Sequence, residues 1–283
     1  MSWLALTLLG ILVFSPKSVL YRVLMKDEQS DPYAQSVVFF GLGGTFALLF
    51  ALINGGFQYQ IPPRQLLWFL PLTLCATVGP VLLFKAYQRI EASEISILQS
   101  SQKLWGVLGA FLLLKEPFSV NKTLGTLVIV AGIAITLWRQ TKLQVNAGAA
   151  LVLVATLFYA GMDLVSYYIV RDFDAISLIV YVCYLPVITL LLLRPQTARR
   201  ISFYFKPQYA LGVFLLAFFD TVGTICFFYA YQVGRNASQI IPLAGLITIN
   251  SVLLGIVILR EYTYIPNKII GAVVTVAGSV LVL

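Results

Sequence analysis

Histidine does not occur in these 283 residues, and only 11 residues are acidic. The first absence removes the usual general base and the commonest metal ligand. Cysteine is nearly as scarce. Cys75, Cys183 and Cys226 lie far apart in apolar runs, with neither metal-ligand spacing nor a disulfide framework, and read as buried packing. No Gly-x-x-x-x-Gly-Lys-Ser/Thr stretch is present, so no ATP-binding loop is available. No catalytic, cofactor or metal site is read from the chain. Charge is thin overall, 11% of residues against about 25% in a soluble domain. With 60% hydrophobic residues and a mean hydropathy of +0.91, the chain cannot cover a water-facing surface. Its solvent is lipid. A net charge of +8 would suggest nucleic acid in a soluble protein. Here it reads as Lys and Arg in loops facing anionic headgroups, and no nucleic-acid partner is expected.

What the chain does have is itself, twice. Thr77 to Gln88 reads TVGPVLLFKAYQ and Thr221 to Gln232 reads TVGTICFFYAYQ, identical at seven of twelve positions with an offset of 144. The repeat continues in Ala92-Ser93 and Ala237-Ser238, Lys115-Glu116 and Arg260-Glu261, Asn121-Lys122 and Asn267-Lys268, Gly125 and Gly271, and Ala131-Gly132 and Ala277-Gly278.

A membrane-spanning helix needs about 20 mainly apolar residues. Ten candidates fit, at roughly 3–24, 33–53, 66–88, 93–114, 121–138, 147–170, 175–194, 209–232, 237–259 and 266–283. Turn and charge signals such as Asp31-Pro32, Asn54-Gly55-Gly56, Pro62-Pro63 and Arg194-Pro195 separate them. The first has no basic start and no small-residue cleavage site, so it is read as a span and not a cleaved leader. The expected fold class is an all-α membrane protein of ten transmembrane helices. It divides into a first five-helix repeat, 1–140, and a second, 141–283. Five is odd, so the second copy is inverted, a plan that puts a substrate site near the midplane between repeats. Loops after odd-numbered spans carry eleven Lys and Arg and the others five. The positive-inside rule then places the odd loops in the cytoplasm and both termini outside.

The pattern resembles the drug/metabolite transporter superfamily, specifically its EamA-type members. The likeness rests on Leu114-Lys115-Glu116, Leu124-Gly125 and Ala131-Gly132 in the first half. In the second half it rests on Leu259-Arg260-Glu261, Ile270-Gly271 and Ala277-Gly278. The first span departs from the family pattern: it reads Phe14-Ser15-Pro16, with Arg22 in the basic place. The resemblance implies ten helices and carriage of a small metabolite, often an amino acid or amphiphilic drug, commonly outward. It also implies a multi-pass protein of a bacterial or archaeal plasma (inner) membrane. Family members usually place both termini in the cytoplasm, opposite to the charge count.

Ionisable residues inside spans are the sharpest functional signal, because a charge in hydrocarbon needs a partner or a wet cavity. Asp220 sits near the middle of span 8, where its counterpart in span 3 is Ala76. It reads as a proton-coupling carboxylate, an anchor for an ammonium, or half of a fixed salt bridge. Ser96, Gln99, Ser100 and Lys103 share one face of span 4. They read as cavity-lining, with Lys103 binding a substrate carboxylate or bound permanently to Asp220 or Asp163. Lys17 follows Pro16, which breaks helix hydrogen bonding. Asp163 lies one step from strict repeat alignment with Lys17, so a Lys17–Asp163 pair is one expectation and a snorkelling Lys17 another. Tyr159, near mid-span, is an aromatic candidate for holding an amine, whereas Tyr87 and Tyr231 read as interface-belt residues. Gly125, Gly132, Gly271 and Gly278 suit close helix packing, within the monomer or across a homodimer. Glu116 and Glu261 read as structural carboxylates at helix starts, and Pro80 and Pro242 as hinges or packing kinks.

Together these give the expected function: a secondary transporter working by alternating access, with spans 1, 3, 4, 6, 8 and 9 around a central cavity. Two Lys and two Asp suit a zwitterion such as an amino acid, with a proton exchanged at an Asp. An organic cation or drug carrier of the same fold is the alternative. A lipid-modifying enzyme fits poorly, for want of His, a large loop or clustered carboxylates. A channel or structural subunit would differ in solute flux.

Overall fold

The computed structural model describes residues 2–27, 29–102, 105, 120–139, 142–143, 145–169, 173–234 and 246–281. Helices α1 (Trp3–Phe14), α2 (Lys17–Met25), α3 (Pro32–Ile53), α4 (Pro63–Leu66), α5 (Phe69–Tyr87), α6 (Ala92–Leu98) and α7 (Val120–Leu137) make the first half. A two-residue antiparallel pairing follows, β1 (Trp138–Arg139) with β2 (Lys142–Leu143). The second half holds α8 (Ala147–Ile169), α9 (Ala175–Leu193), α10 (Thr197–Tyr204), α11 (Pro207–Gly234), α12 (Leu246–Leu259) and α13 (Ile265–Leu281).

The fold is an all-helical membrane fold. Six apolar stretches are long enough to cross a bilayer: Trp3–Met25, Pro32–Ile53, Pro63–Tyr87, Ala147–Ser166, Ala175–Leu193 and Pro207–Phe227. They coincide with expected spans 1, 2, 3, 6, 7 and 8. Shorter apolar helices, Leu124–Leu137, Leu246–Leu259 and Ile265–Leu281, fall at spans 5, 9 and 10. α6 covers the start of span 4; residues 106–119 and 235–245, with Glu116 and Pro242, lie outside the described residues.

The first span is broken where Pro16 lacks its amide hydrogen: α1 stops at Phe14 and α2 starts at Lys17. Ser15 softens the break by donating its hydroxyl to the Ile11 carbonyl at 2.6 Å. Pro80 behaves differently, since α5 runs through it, and α9 likewise runs through Pro186.

Most packing is between the halves. α1 lies on α11, α5 on α8, α3 on α9, α7 on α13 and α6 on α12. Between α7 and α13 the backbones nearly touch. A Cβ on Gly271 would fall 2.1 Å from Thr136 Oγ1 and 2.9 Å from the Gly132 carbonyl oxygen. Small residues permit this approach, which matters in lipid because burying apolar surface there brings little gain. The neighbouring hydroxyls do not compete for partners: Thr136 and Thr275 donate to carbonyls one turn back on their own helices.

The loops after α2, α5, α7, α9 and α12 meet at one end. There the Gln88 amide donates to Ser30, Tyr204 donates to the Asp31 carbonyl at 2.9 Å, and Asn267 donates to the Ile135 carbonyl. Arg22, Arg89, Arg194, Arg199, Arg200 and Lys268 are at this end. At the other end Gln65 donates to the Ile169 carbonyl and Gln58 receives Ser177 as acceptor for its amide.

Replacing Gly271 by Val should force α7 and α13 apart and lower the thermal midpoint in detergent, by about 1–3 kcal/mol of overpacking. Gly41→Ala, where an added Cβ meets nothing within 4 Å, should leave the midpoint unchanged or slightly raised. A Gly271→Val protein as stable as wild type would mean the seam is not tight.

Candidate functional site

The break at Pro16 puts Lys17 on the first turn of α2, aimed at α11. Its Nζ lies 2.6 Å from Asp220 Oδ1. Asp220 is the fourteenth residue of α11. At about 1.5 Å of rise per residue it sits roughly 20 Å from the helix start, well inside a hydrocarbon core of about 30 Å. An ion pair at that depth needs both a partner and residual hydration, because desolvation otherwise outweighs the attraction. The partner is present, and the two side chains keep 24% and 27% of their surface accessible.

Aromatic rings complete the Lys17 surroundings. Its ammonium lies 4.1 Å from the Phe14 centroid and 5.8 Å from that of Tyr21, distances at which a ring face attracts a cation. Phe14 is seated by an absence on α11. A Cβ on Gly223 would come 2.2 Å from its ring, and Gly223 lies three residues, nearly one turn, after Asp220. Tyr21 is buried and packs against Phe39, Phe84 and Tyr87 with centroids 5.0 to 5.7 Å apart.

Asp163 is the second carboxylate. It is exposed midway along the C-terminal half of α8 and accepts a hydrogen bond from Gln102 Nε2. Tyr159, one turn earlier on the same face, is within electrostatic reach of both Asp163 and Asp220. The polar face of α8 and the Lys17–Asp220 pair thus border one region.

The expected pair of Lys17 with Asp163 does not form. Lys17 binds Asp220 and Asp163 binds Gln102, because α1 and α2 pack on α11 whereas α8 packs on α5. Ser96 is buried with its hydroxyl donated to the Ala92 carbonyl at 2.9 Å, and Gln99 is half-buried. Lys103 lies outside the described residues. Tyr87 is not an interface-belt residue. It is buried in the Tyr21 cluster, and its carbonyl accepts from Arg22 Nη1. The side chain of Tyr231 is outside the described set.

Glu261 serves a helix start, but not that of its own α13. Its carboxylate crosses to the other half, accepting from Ala92 N at 2.8 Å, Ser93 N at 2.9 Å and the Ser93 hydroxyl at 2.5 Å. These are first-turn donors of α6, which has no side-chain cap of its own and whose positive end favours a carboxylate. The buried Lys268 ties the clamp down, donating to the Glu261 carbonyl at 3.1 Å and to the Glu91 carboxylate. Arg260 and Tyr264, on either side, hold positive φ angles of 55° and 51°, a conformation disfavoured for side chains of this size. The repeated Ala-Ser and basic-Glu pairs were the sequence signal for this contact, although nothing in them tied the glutamate of one half to the serine of the other.

The EamA-like transporter family model matches residues 1–138 and again residues 146–283. The chain belongs to the EamA-like transporter family. A curated relative from Methanothermobacter thermautotrophicus, described as an uncharacterized transporter, is 28% identical over 96 residues. That match covers 34% of this EamA-like chain and only 28% of the relative's length. A solved crystal structure superposes with a TM-score of 0.61 over 98% of this chain and 94% of its own, at 16% identity, which speaks to the fold alone. The family and the relative are both described as transporters, and the apolar helices make this an integral multi-pass membrane protein.

Neutralising either side of the pair in this EamA-like protein should strand the other charge. Lys17→Met and Asp220→Asn should each destabilise by about 1–3 kcal/mol, less than a fully buried pair because both partners are partly accessible. The double variant should lose less than the two singles added together; strict additivity in that thermal-melt cycle would show that the charges do not interact. Glu261→Ala should destabilise the fold by about 3 kcal/mol and so lower the midpoint, because it leaves buried amides of α6 without an acceptor. Thr263→Ala, whose hydroxyl contacts only the Glu91 carboxylate in this network, should have a far smaller effect.

Proposed function

We propose that this protein is a secondary active transporter that moves a small zwitterion, an amino acid or related metabolite, across the plasma membrane by alternating access. The observation that carries this reading is the Lys17–Asp220 ion pair, deep in the membrane yet partly accessible, with Phe14 and Tyr21 beside the ammonium. A zwitterion presents both charges at once. Its carboxylate can replace Asp220 at Lys17 while its ammonium takes Asp220 or Asp163, so neither protein charge is left alone during the exchange.

The two halves, 1–140 and 141–283, act as inverted five-helix repeats in this reading. The packing pattern supports that. α1 on α11 answers to α8 on α5 under exchange of the halves, and α3–α9, α6–α12 and α7–α13 are pairs of equivalent elements. Such an arrangement can rock about a central site. A proton exchanged at Asp163 or Asp220 would couple transport to the proton gradient and favour export. The working unit is a monomer or a homodimer.

A second reading has a specific observation behind it. Among the described residues Asp163 has an amide and no cation as its partner, so a carrier of organic cations could use Asp163 with Tyr159 and leave Lys17 aside.

The discriminating experiment measures the thermal midpoint of purified protein against panels of amino acids, amines and carboxylates. Bound ligand raises it by mass action. An amino acid should stabilise wild type, whereas Lys17→Met and Asp220→Asn, if folded, should respond at least about tenfold more weakly. A response to amines alone that persists in Lys17→Met would overturn the zwitterion reading in favour of the cation carrier. Transport into proteoliposomes with and without a pH gradient tests the coupling.

A further inference from the structure

At the end of the bundle where α2, α5 and α9 finish, a cleft of about 440 Å³ opens between the start of α3, the end of α5 and the first turn of α10. Its polar lining is mainly Tyr33, Gln88, Arg194, Gln196 and Arg200, with Asp31 the one carboxylate among the described lining residues. Asp31 is fully engaged. Its Oδ1 caps α3 by accepting from Tyr33 N at 2.8 Å and Ala34 N at 3.3 Å, and its Oδ2 accepts from Arg200 Nη1 at 2.9 Å.

Arg194 has no carboxylate among the described residues. Its guanidinium stacks over the Tyr33 ring, 4.1 Å from the centroid. A second cation shares that ring: Lys85 Nζ is 4.8 Å from the centroid and donates to the Tyr33 hydroxyl at 2.9 Å. The separation of the two cations cannot exceed those two centroid distances laid end to end. With Arg200, three cations converge where one carboxylate answers. Like charges gathered this closely favour a bound anion among them.

The surroundings indicate how the anion arrives. On the last turns of α9 Ile188, Leu192 and Leu193 are exposed, on the side away from the buried Leu190, the last two by more than 70%. This apolar strip faces lipid tails. Beside the cleft, α10 buries Thr197 and Tyr204 and exposes Arg199, Ser202 and the following Lys206, the division expected of a helix lying in the plane of the headgroups. The geometry points to this cleft as a site for a phosphate anion, carried by the headgroup of an anionic phospholipid of the surrounding leaflet. Guanidinium forks suit phosphate oxygens, and basic pockets between membrane helices are established settings for such headgroups. The site lies at the bundle end and is separate from the mid-membrane Lys17–Asp220 pair.

The test takes the purified full chain in nonionic detergent and follows its thermal midpoint against added phosphatidylglycerol, phosphatidylcholine or inorganic phosphate. Phosphatidylglycerol should raise the midpoint and phosphatidylcholine should not. Arg194→Gln/Arg200→Gln should need about tenfold more phosphatidylglycerol for the same shift. Both arginines are exposed, and Arg194→Gln alone serves if the double variant is poorly folded. Arg64→Gln, at the opposite end, should respond as wild type. The full shift with inorganic phosphate alone would keep the anion site and overturn the lipid as its source. Equal shifts from both lipids, or an unchanged response in the arginine variants, would overturn the site.

Discussion

Lipid removes the force that normally holds helices together, because a leucine buried against a neighbour is no better off than one against an acyl chain. Association must then come from closeness and from polar groups that hydrocarbon will not solvate. Both lie between the halves. Gly132 and Gly271 let α7 and α13 approach until an added methyl would strike Thr136. Gly223 admits the ring of Phe14 between α1 and α11. The polar links run the same way, Lys17 to Asp220 and Glu261 to the first turn of α6. Each half is thus completed by the other.

The two polar links differ in character. The Glu261 clamp is dry, with Glu261 6% and Lys268 3% accessible, and every donor aimed at it is used. It fixes the start of the helix that carries Ser96 and is followed at once by Gln99. The Lys17–Asp220 pair is partly accessible and flanked by rings, the features on which the proposed exchange with a zwitterion rests.

Much of this was legible in the chain. Apolar runs located spans 1, 2, 3, 6, 7 and 8 to within a few residues, and scarcity of charge identified the solvent. Lys17, Asp163 and Asp220 stood out because charge in an apolar run is expensive. The partners were not legible. A repeat says which elements are alike, not which touch, and the alignment of Lys17 with Asp163 suggested a pair that α1 and α8, packed on different neighbours, do not make. Tyr87 looked like a belt residue by its place near a span end, yet α2 delivers Tyr21 and Arg22 onto it. Proline was ambiguous for the same reason. Pro16 breaks its helix while Pro80 and Pro186 do not, and no local pattern separates them.

The partner of Lys17 stands 203 residues further along the chain. A ribosome adding about 5–20 residues per second takes roughly 10–40 s to reach it. For that interval the first span rests in the bilayer with its cation unanswered. Lys17 is eight residues from the end of α2, within about 12 Å of the headgroups at helical rise, and its long stem can lift the ammonium toward water in the meantime. The break at Ser15 and Pro16 then matters before any solute is carried. It lets α2 tilt independently of α1, so that the lysine can wait near the headgroups until α11 brings Asp220.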